Sequence, residues 1–212
     1  MYHGDILIKT GGFMITYTKF TIGFIIMMIF VNISYSVPLS GTYNVGSGQT
    51  YTSLTGSGAT GFFNAVNTNG LSGNVTVIIT SDITESGSIA LNQWTGSNTI
   101  IIQPQSAVLR TLSGNVAAPL IGLNGADRVT FDGRFSGSGR YLRFVNSNTG
   151  GQTFRFINDA TLNTITYCIV DGMRVSSTSG IIDFSTTTGA TGNDNNTVSN
   201  CTMKDASGGT LQ

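Results

Sequence analysis

Residues 163–170 run Asn163-Thr164-Ile165-Thr166-Tyr167-Cys168-Ile169-Val170, and residues 196–203 run Asn196-Thr197-Val198-Ser199-Asn200-Cys201-Thr202-Met203. The two octads match in type at most positions: Asn, Thr, a β-branched residue, a hydroxyl residue and, one residue further on, Cys. The opening triplet recurs upstream as Asn98-Thr99-Ile100, and Asp127-Arg128-Val129 occupies the matching place between, so successive spacings are 29, 36 and 33 residues. Each unit also has an earlier element. Leu120-Ile121-Gly122-Leu123-Asn124-Gly125-Ala126 aligns with Phe154-Arg155-Phe156-Ile157-Asn158-Asp159-Ala160, and Ile181-Ile182-Asp183-Phe184-Ser185 is a looser third copy. A unit of about 33 residues made of strands this short cannot bury its own apolar face, so copies must stack as a solenoid.

Runs of β-branched and aromatic residues continue this pattern at 74–80, 99–103, 120–123, 129–131, 142–145, 154–157 and 181–184, with Gly, Ser, Asn and Thr between them. That is the composition and punctuation of strands. Only Gly61 to Thr68 suits a helix, with Phe62, Phe63 and Val66 on one face. Helical solenoids of similar period need Ala, Leu, Glu and Lys runs that are missing here, and propeller blades are longer and antiparallel. A parallel β-helix remains, and it explains the composition. Ile, Val and Phe stack inward on like residues one coil away, Asn forms ladders at turns, Gly takes tight corners, and Thr and Ser face outward. Gly133 to Arg140 and Thr186 to Asn196 read as loops leaving one edge.

The chain divides into three parts. Residues 1–36 form a secretory signal peptide, because the apolar run from Phe20 to Ile33 follows Lys9 and Lys19 and precedes Ser34-Tyr35-Ser36. Met14 is an alternative start. Residues 37–73 form an amino-terminal cap bearing the one short helix, and residues 74–212 form the coils, which continue past Gln212 in a longer protein. No membrane span remains after signal cleavage, since the uncharged core is shorter than a span requires.

Charge narrows the function classes. Ten basic and ten acidic residues cancel, and charged residues make up only 9% of the chain, which argues against a nucleic-acid surface. The only His, His3, precedes residue 37, so the coils hold no Ser-His-Asp triad, Cys-His pair or His-ligated zinc.

Candidate site residues are few. Arg134, Arg140, Tyr141 and Trp94 are ligand candidates, the guanidiniums for carboxylate or hydroxyl groups and the rings, with Phe135, for stacking on a sugar. Most of the seven Arg are expected to cap loops or pair with Asp. Among Asp132, Asp171, Asp183, Asp194 and Asp205 no concentrated cluster marks a catalytic centre, so no catalytic or cofactor residue is assigned. Asp132-Gly133 and Asp171-Gly172 read first as turns. Asp194 and Asn195, in the longest loop, are the metal candidates, for calcium. Cys168 and Cys201 lie one above the other, as two packed thiols or as a disulfide.

The string from Gly125 to Ser147, followed by Phe154 to Val170 and Ile181 to Asp205, resembles the amino-terminal β-helix region of large secreted proteins of Bacteroidetes-type bacteria. Those proteins resemble pectin-lyase-like right-handed parallel β-helices and are often type IX secretion substrates. The likeness covers residues 41–212 and is most specific from Asp127 to Asp205. It implies an all-β, right-handed parallel β-helix, secreted or at the cell surface, for which adhesion is commonly proposed; the lack of a concentrated titratable cluster then favours a non-catalytic adhesive or structural role. Its expected partners are an extracellular glycan or a surface protein. The alternative is the front of a polysaccharide lyase or glycoside hydrolase whose catalytic coils lie beyond Gln212.

Overall fold

A computed structural model describes residues 36–176 and 178–206; the expected signal peptide and Met14 fall outside these described residues. The chain opens with β1 (Leu39–Val45) and α1 (Phe62–Asn69). Four coils then follow one path. The first is β2 (Leu71–Ile79), β3 (Ile83–Thr84) and β4 (Leu91–Asn92), and the second is β5 (Ile100–Pro104), β6 (Arg110–Gly114) and β7 (Ile121–Asn124). The third is β8 (Val129–Asp132), β9 (Leu142–Asn146) and β10 (Phe154–Ile157), and the fourth is β11 (Thr164–Thr166), β12 (Cys168–Gly172) and β13 (Ile182–Phe184). A fifth begins with β14 (Thr197–Ser199) and β15 (Thr202–Asp205).

Corresponding strands stack into three parallel sheets. The first holds six strands in the order β1-β2-β5-β8-β11-β14, the second five, β15-β12-β9-β6-β3, and the third four, β13-β10-β7-β4. Among the described residues the fold is therefore an all-β parallel solenoid with one short helix, as expected.

Alternation along each strand sends every second side chain inward, where the next coil covers it. The third coil shows how the cross-section is filled. Phe131, Phe144 and Phe154 come one from each sheet and meet edge to face, with ring centroids 4.8 to 5.6 Å apart. At the amino-terminal end, Phe62, Phe63 and Val66 of α1 are buried, as their spacing predicts. Tyr43 and Tyr51 close around Phe62.

Two registers differ from the sequence alignment. Ile100 does pair with Val129, but Ile165 pairs with Phe131, two residues beyond the place the aligned triplets imply. A shift of two keeps inward residues inward, so alternation cannot distinguish the alternatives. The Asn163 Oδ1 makes the choice by accepting the Val129 N–H at 2.9 Å. In the third sheet Phe154 pairs with Ile121 rather than with Leu120. The aligned version would set wholly buried Ile121 against Arg155, whose side chain stays 34% exposed. The alignment recovers at the corner, where Asn92, Asn124 and Asn158 form the expected ladder, bonded at 2.9 and 2.5 Å.

Two long predicted strands are each bent in the middle. Tyr167 and Asn200 adopt left-handed backbone, φ 50° and 53°, and turn the chain from the first sheet into the second. Asp171-Gly172 is not a turn; it lies within β12. Glycine is needed there because a Cβ would sit 2.4 Å from the Ile181 side chain.

Candidate functional site

The loop after β8 carries most of the candidate ligand residues. Asp132 ends that strand, and Arg134 folds back on it as a fork: Nε meets Oδ1 at 2.9 Å and Nη2 meets Oδ2 at 2.8 Å. The Arg134 backbone N–H adds a bond to Oδ1 at 3.0 Å. Burial alone would raise the Asp132 carboxyl, but the hydrogen bonds and charge of Arg134 outweigh it and hold the group below the ordinary carboxylate range. Asp132 is thereby kept as a carboxylate, an acceptor rather than an acid.

Beyond the fork the chain makes a two-residue turn. Phe135 and Ser138 exchange backbone hydrogen bonds at 3.0 and 3.2 Å, while Ser136 and Gly137 between them have φ 49° and 80°. Both central residues at positive φ is the requirement of a tight hairpin turn. The turn leaves Phe135 37% exposed. Between this turn and the outer face of the first sheet lies an open cleft of about 440 Å³, lined by Ile78, Gln103, Gln105, Asp132, Arg134 and Phe135 among others. The Gln103 and Gln105 side-chain amides make no hydrogen bond within the described residues. An exposed ring, two uncommitted amides and one fixed carboxylate suit a polyhydroxylated ligand, whose C–H face stacks on the ring while its hydroxyls bond the amides.

Comparisons with family models, curated proteins and solved structures found no match to this chain. The site itself therefore carries the functional reading.

Tyr167 supports the loop from the other side. The Arg134 guanidinium lies 4.8 Å from its ring centroid and that of Arg140 lies 5.9 Å away. Arg140 also donates from Nε to the Asn200 carbonyl at 2.7 Å. Sequence reasoning had no signal for Tyr167, which looks like one more strand residue until the corner is seen. Tyr141 closes the loop through its backbone, donating to the Gly133 carbonyl at 2.6 Å and accepting from the Arg110 N–H at 2.9 Å. Its ring packs over Gly139, where a Cβ would approach it to 2.2 Å.

Trp94 does not join these residues. It is 6% exposed, belongs to the core, and donates from Nε1 to the Asn98 carbonyl at 3.1 Å. A ring packed inward cannot serve as a sugar platform, so that expectation is corrected.

Most of the other arginines have a nearby carboxylate or carbonyl. Arg128, Arg143 and Arg155 pair with Asp127, Asp171 and Asp183, and Arg174 donates to Ser179 and to the Gly150 carbonyl, as expected for loop-capping guanidiniums.

Asp194 and Asn195 line a second, more open cleft of about 690 Å³ with Asp127 and Asp159. The last two acids already have protein donors. Asp127 accepts Gln93 Nε2 at 2.9 Å and both the N–H and hydroxyl of Thr161 at 2.8 Å. Asp159 accepts the Thr187 hydroxyl and the Gly192 N–H, and the Thr187 bond in particular holds its carboxyl below the ordinary range. Among the described residues no group of three or more His, Cys, Asp or Glu is arranged to hold a metal ion.

The disulfide alternative is not formed: Cys168 and Cys201 are free thiols. The Cys168 thiol donates to the Thr166 carbonyl and the Cys201 thiol to the Ser199 carbonyl, each at 3.3 Å. No helix among the described residues is long and apolar enough to cross a membrane.

Proposed function

We propose that this chain is a non-catalytic binding module of an exported or cell-surface β-solenoid protein, and that the cleft beside Phe135 takes a neutral stretch of extracellular glycan. The observation that carries the reading is the exposed Phe135 ring, held by a tight turn beside two uncommitted amides. The carboxylate at the cleft is engaged by Arg134 and stays ionised, which favours recognition over proton transfer. Further coils belong to the same proposal. Phe184 and Met203 stand in register with inward-facing Phe156 and Val170, yet are 47% and 46% exposed, and another coil would cover them.

A glycan array probed with the secreted protein tests the reading. Binding to neutral glycans should fall at least about tenfold in Phe135→Ala, equivalent to about 1.4 kcal/mol. An array with no retained glycan, or equal binding by Phe135→Ala, would overturn it. Release of unsaturated uronate or reducing sugar by the same protein would favour a lyase or hydrolase instead.

A further inference from the structure

A third cleft, of about 500 Å³, opens on the outer side of the third sheet. Its floor is Arg155 on β10 and Asp183 on β13, which are register neighbours. Gly122, the partner of Arg155 on β7, adds no side chain beside it. Its wall is the connection from the second sheet to the third in three successive coils, through Pro119, Gly150 and Arg174.

Both guanidiniums of this cleft are only partly used. Arg155 gives Nη2 to the Ser185 hydroxyl at 3.1 Å. Its Nε is buried without an acceptor, 3.8 Å from Asp183 Oδ2 and beyond hydrogen-bond reach. Arg174 is held by Nε on the Ser179 hydroxyl at 2.7 Å and by Nη1 on the Gly150 carbonyl. Arg155 Nη1 and Arg174 Nη2 make no hydrogen bond within the described residues. The Ser185 hydroxyl accepts from Arg155 and keeps its own proton to give. Asp183, the one carboxylate in the lining, already accepts Gln152 Nε2 at 3.0 Å. Two guanidiniums against one carboxylate leave the lining with one net positive charge.

We propose that this cleft binds a sulfate ester carried on a sugar. The charge selects a singly ionised group. A sulfate ester neutralises the lining, whereas a phosphate monoester, at about −1.5 to −2 near neutral pH, exceeds it. The donors select the shape. Arg155 Nη1, Arg174 Nη2 and the Ser185 hydroxyl come from three separate segments, one for each terminal oxygen of a sulfate ester; a carboxylate offers only two oxygens in one plane. The rest of the lining is hydroxyls, amides and short side chains without an aromatic ring, which suits the hydroxyls around the ester. This cleft belongs to the third sheet, whereas Phe135 follows β8 of the first, so the sulfate proposal does not depend on the neutral-glycan reading.

The test is an NMR titration of the full-length protein, isotope-labelled at arginine nitrogen, with a glucose sulfate ester, the matching phosphate ester, glucuronate and glucose itself. The sulfate ester should shift the Arg155 and Arg174 guanidinium signals saturably and bind most tightly of the four. Arg174→Gln, in a surface connection, should weaken that binding at least about tenfold with the urea midpoint unchanged. Asp183→Asn removes the opposing charge and should tighten it severalfold, which arginines serving only to cap loops would not produce. Phe135→Ala should leave it unchanged. No saturable shift, equal shifts with glucose, or tighter binding of glucuronate or the phosphate ester would overturn the proposal. So would full affinity in Arg174→Gln, or loss of binding in Phe135→Ala.

Discussion

The Glu85 carboxylate in the first coil grips Thr55 in the cap twice, accepting its N–H at 2.7 Å and its hydroxyl at 2.5 Å through Oε2. Oε1 accepts the Leu54 N–H at 2.8 Å, and Glu85 is 2% exposed. One buried acid of the first coil thus adds three hydrogen bonds to the strand pairing that joins the cap to the coils. In Glu85→Gln the amide NH2 must face either the Leu54 N–H or the Thr55 N–H, whichever way it is turned, and leaves that buried N–H without an acceptor. The substitution should lower stability by about 1–3 kcal/mol in urea unfolding, with α1 gaining hydrogen exchange first.

The same residue makes stability depend on pH. Burial raises the Glu85 carboxyl above its ordinary 4.5, and the bonds from Thr55 and Leu54 offset this only in part. A carboxyl raised in the folded state binds its proton more tightly there, so its contribution grows as pH falls from the raised value toward 4.5 and declines as pH rises. Asp132 and Asp159 are lowered and act in the opposite sense, losing their contribution as pH falls below 3.8. Urea midpoints measured from pH 7 downward should rise in the native protein before they fall, and the rise should vanish in Glu85→Gln.

The three-sheet aromatic cluster predicts where a cavity costs most. Phe144 touches both Phe131 and Phe154 at 5.6 and 4.8 Å between centroids and is wholly buried. Phe144→Ala should cost about 3–5 kcal/mol, and Phe144→Leu substantially less, both read as shifts in urea midpoint without a change in slope.

These examples also mark what the sequence could and could not disclose. The octads at 163–170 and 196–203 pair in the register they suggest, with Thr166 beside Ser199 and Val170 beside Met203. Local periodicity suffices where both copies have the same length. It fails at Val129 and Leu120, because coils of unequal length allow several registers and only a cross-coil bond such as Asn163 to Val129 selects one. Strands β3 and β4, two residues each, leave too short a pattern to recognise at all. In the cleft, Arg134 was legible as a scarce charge in a Gly-rich loop. The support from Tyr167 was not, since it depends on a corner 33 residues further along the chain.

Trp94 is the chain's one tryptophan and reports on its own burial. Packed in the core with its indole N–H bonded to Asn98, it should emit at short wavelength, resist acrylamide quenching, and show no spectral change when a glycan binds. Trp94→Phe should leave glycan binding unchanged and cost about 1 kcal/mol or more through the lost bond and packing. A spectral shift on adding glycan would return the ring to the binding surface.

Tyr167 separates stability from binding at the loop. Its left-handed backbone, φ 50°, costs a bulky residue about 1–2 kcal/mol that glycine avoids. Its ring offsets this by stacking the guanidiniums of Arg134 and Arg140, at about 0.5–1 kcal/mol each when exposed. The two effects nearly cancel, so Tyr167→Gly should change the urea midpoint little. Arg134 would lose the ring it stacks on, the fork to Asp132 would loosen, and the turn presenting Phe135 would gain freedom. Glycan affinity should therefore fall severalfold while stability stays within about 1 kcal/mol of the native protein. A variant that loses stability and keeps its affinity would show that Tyr167 serves the corner alone.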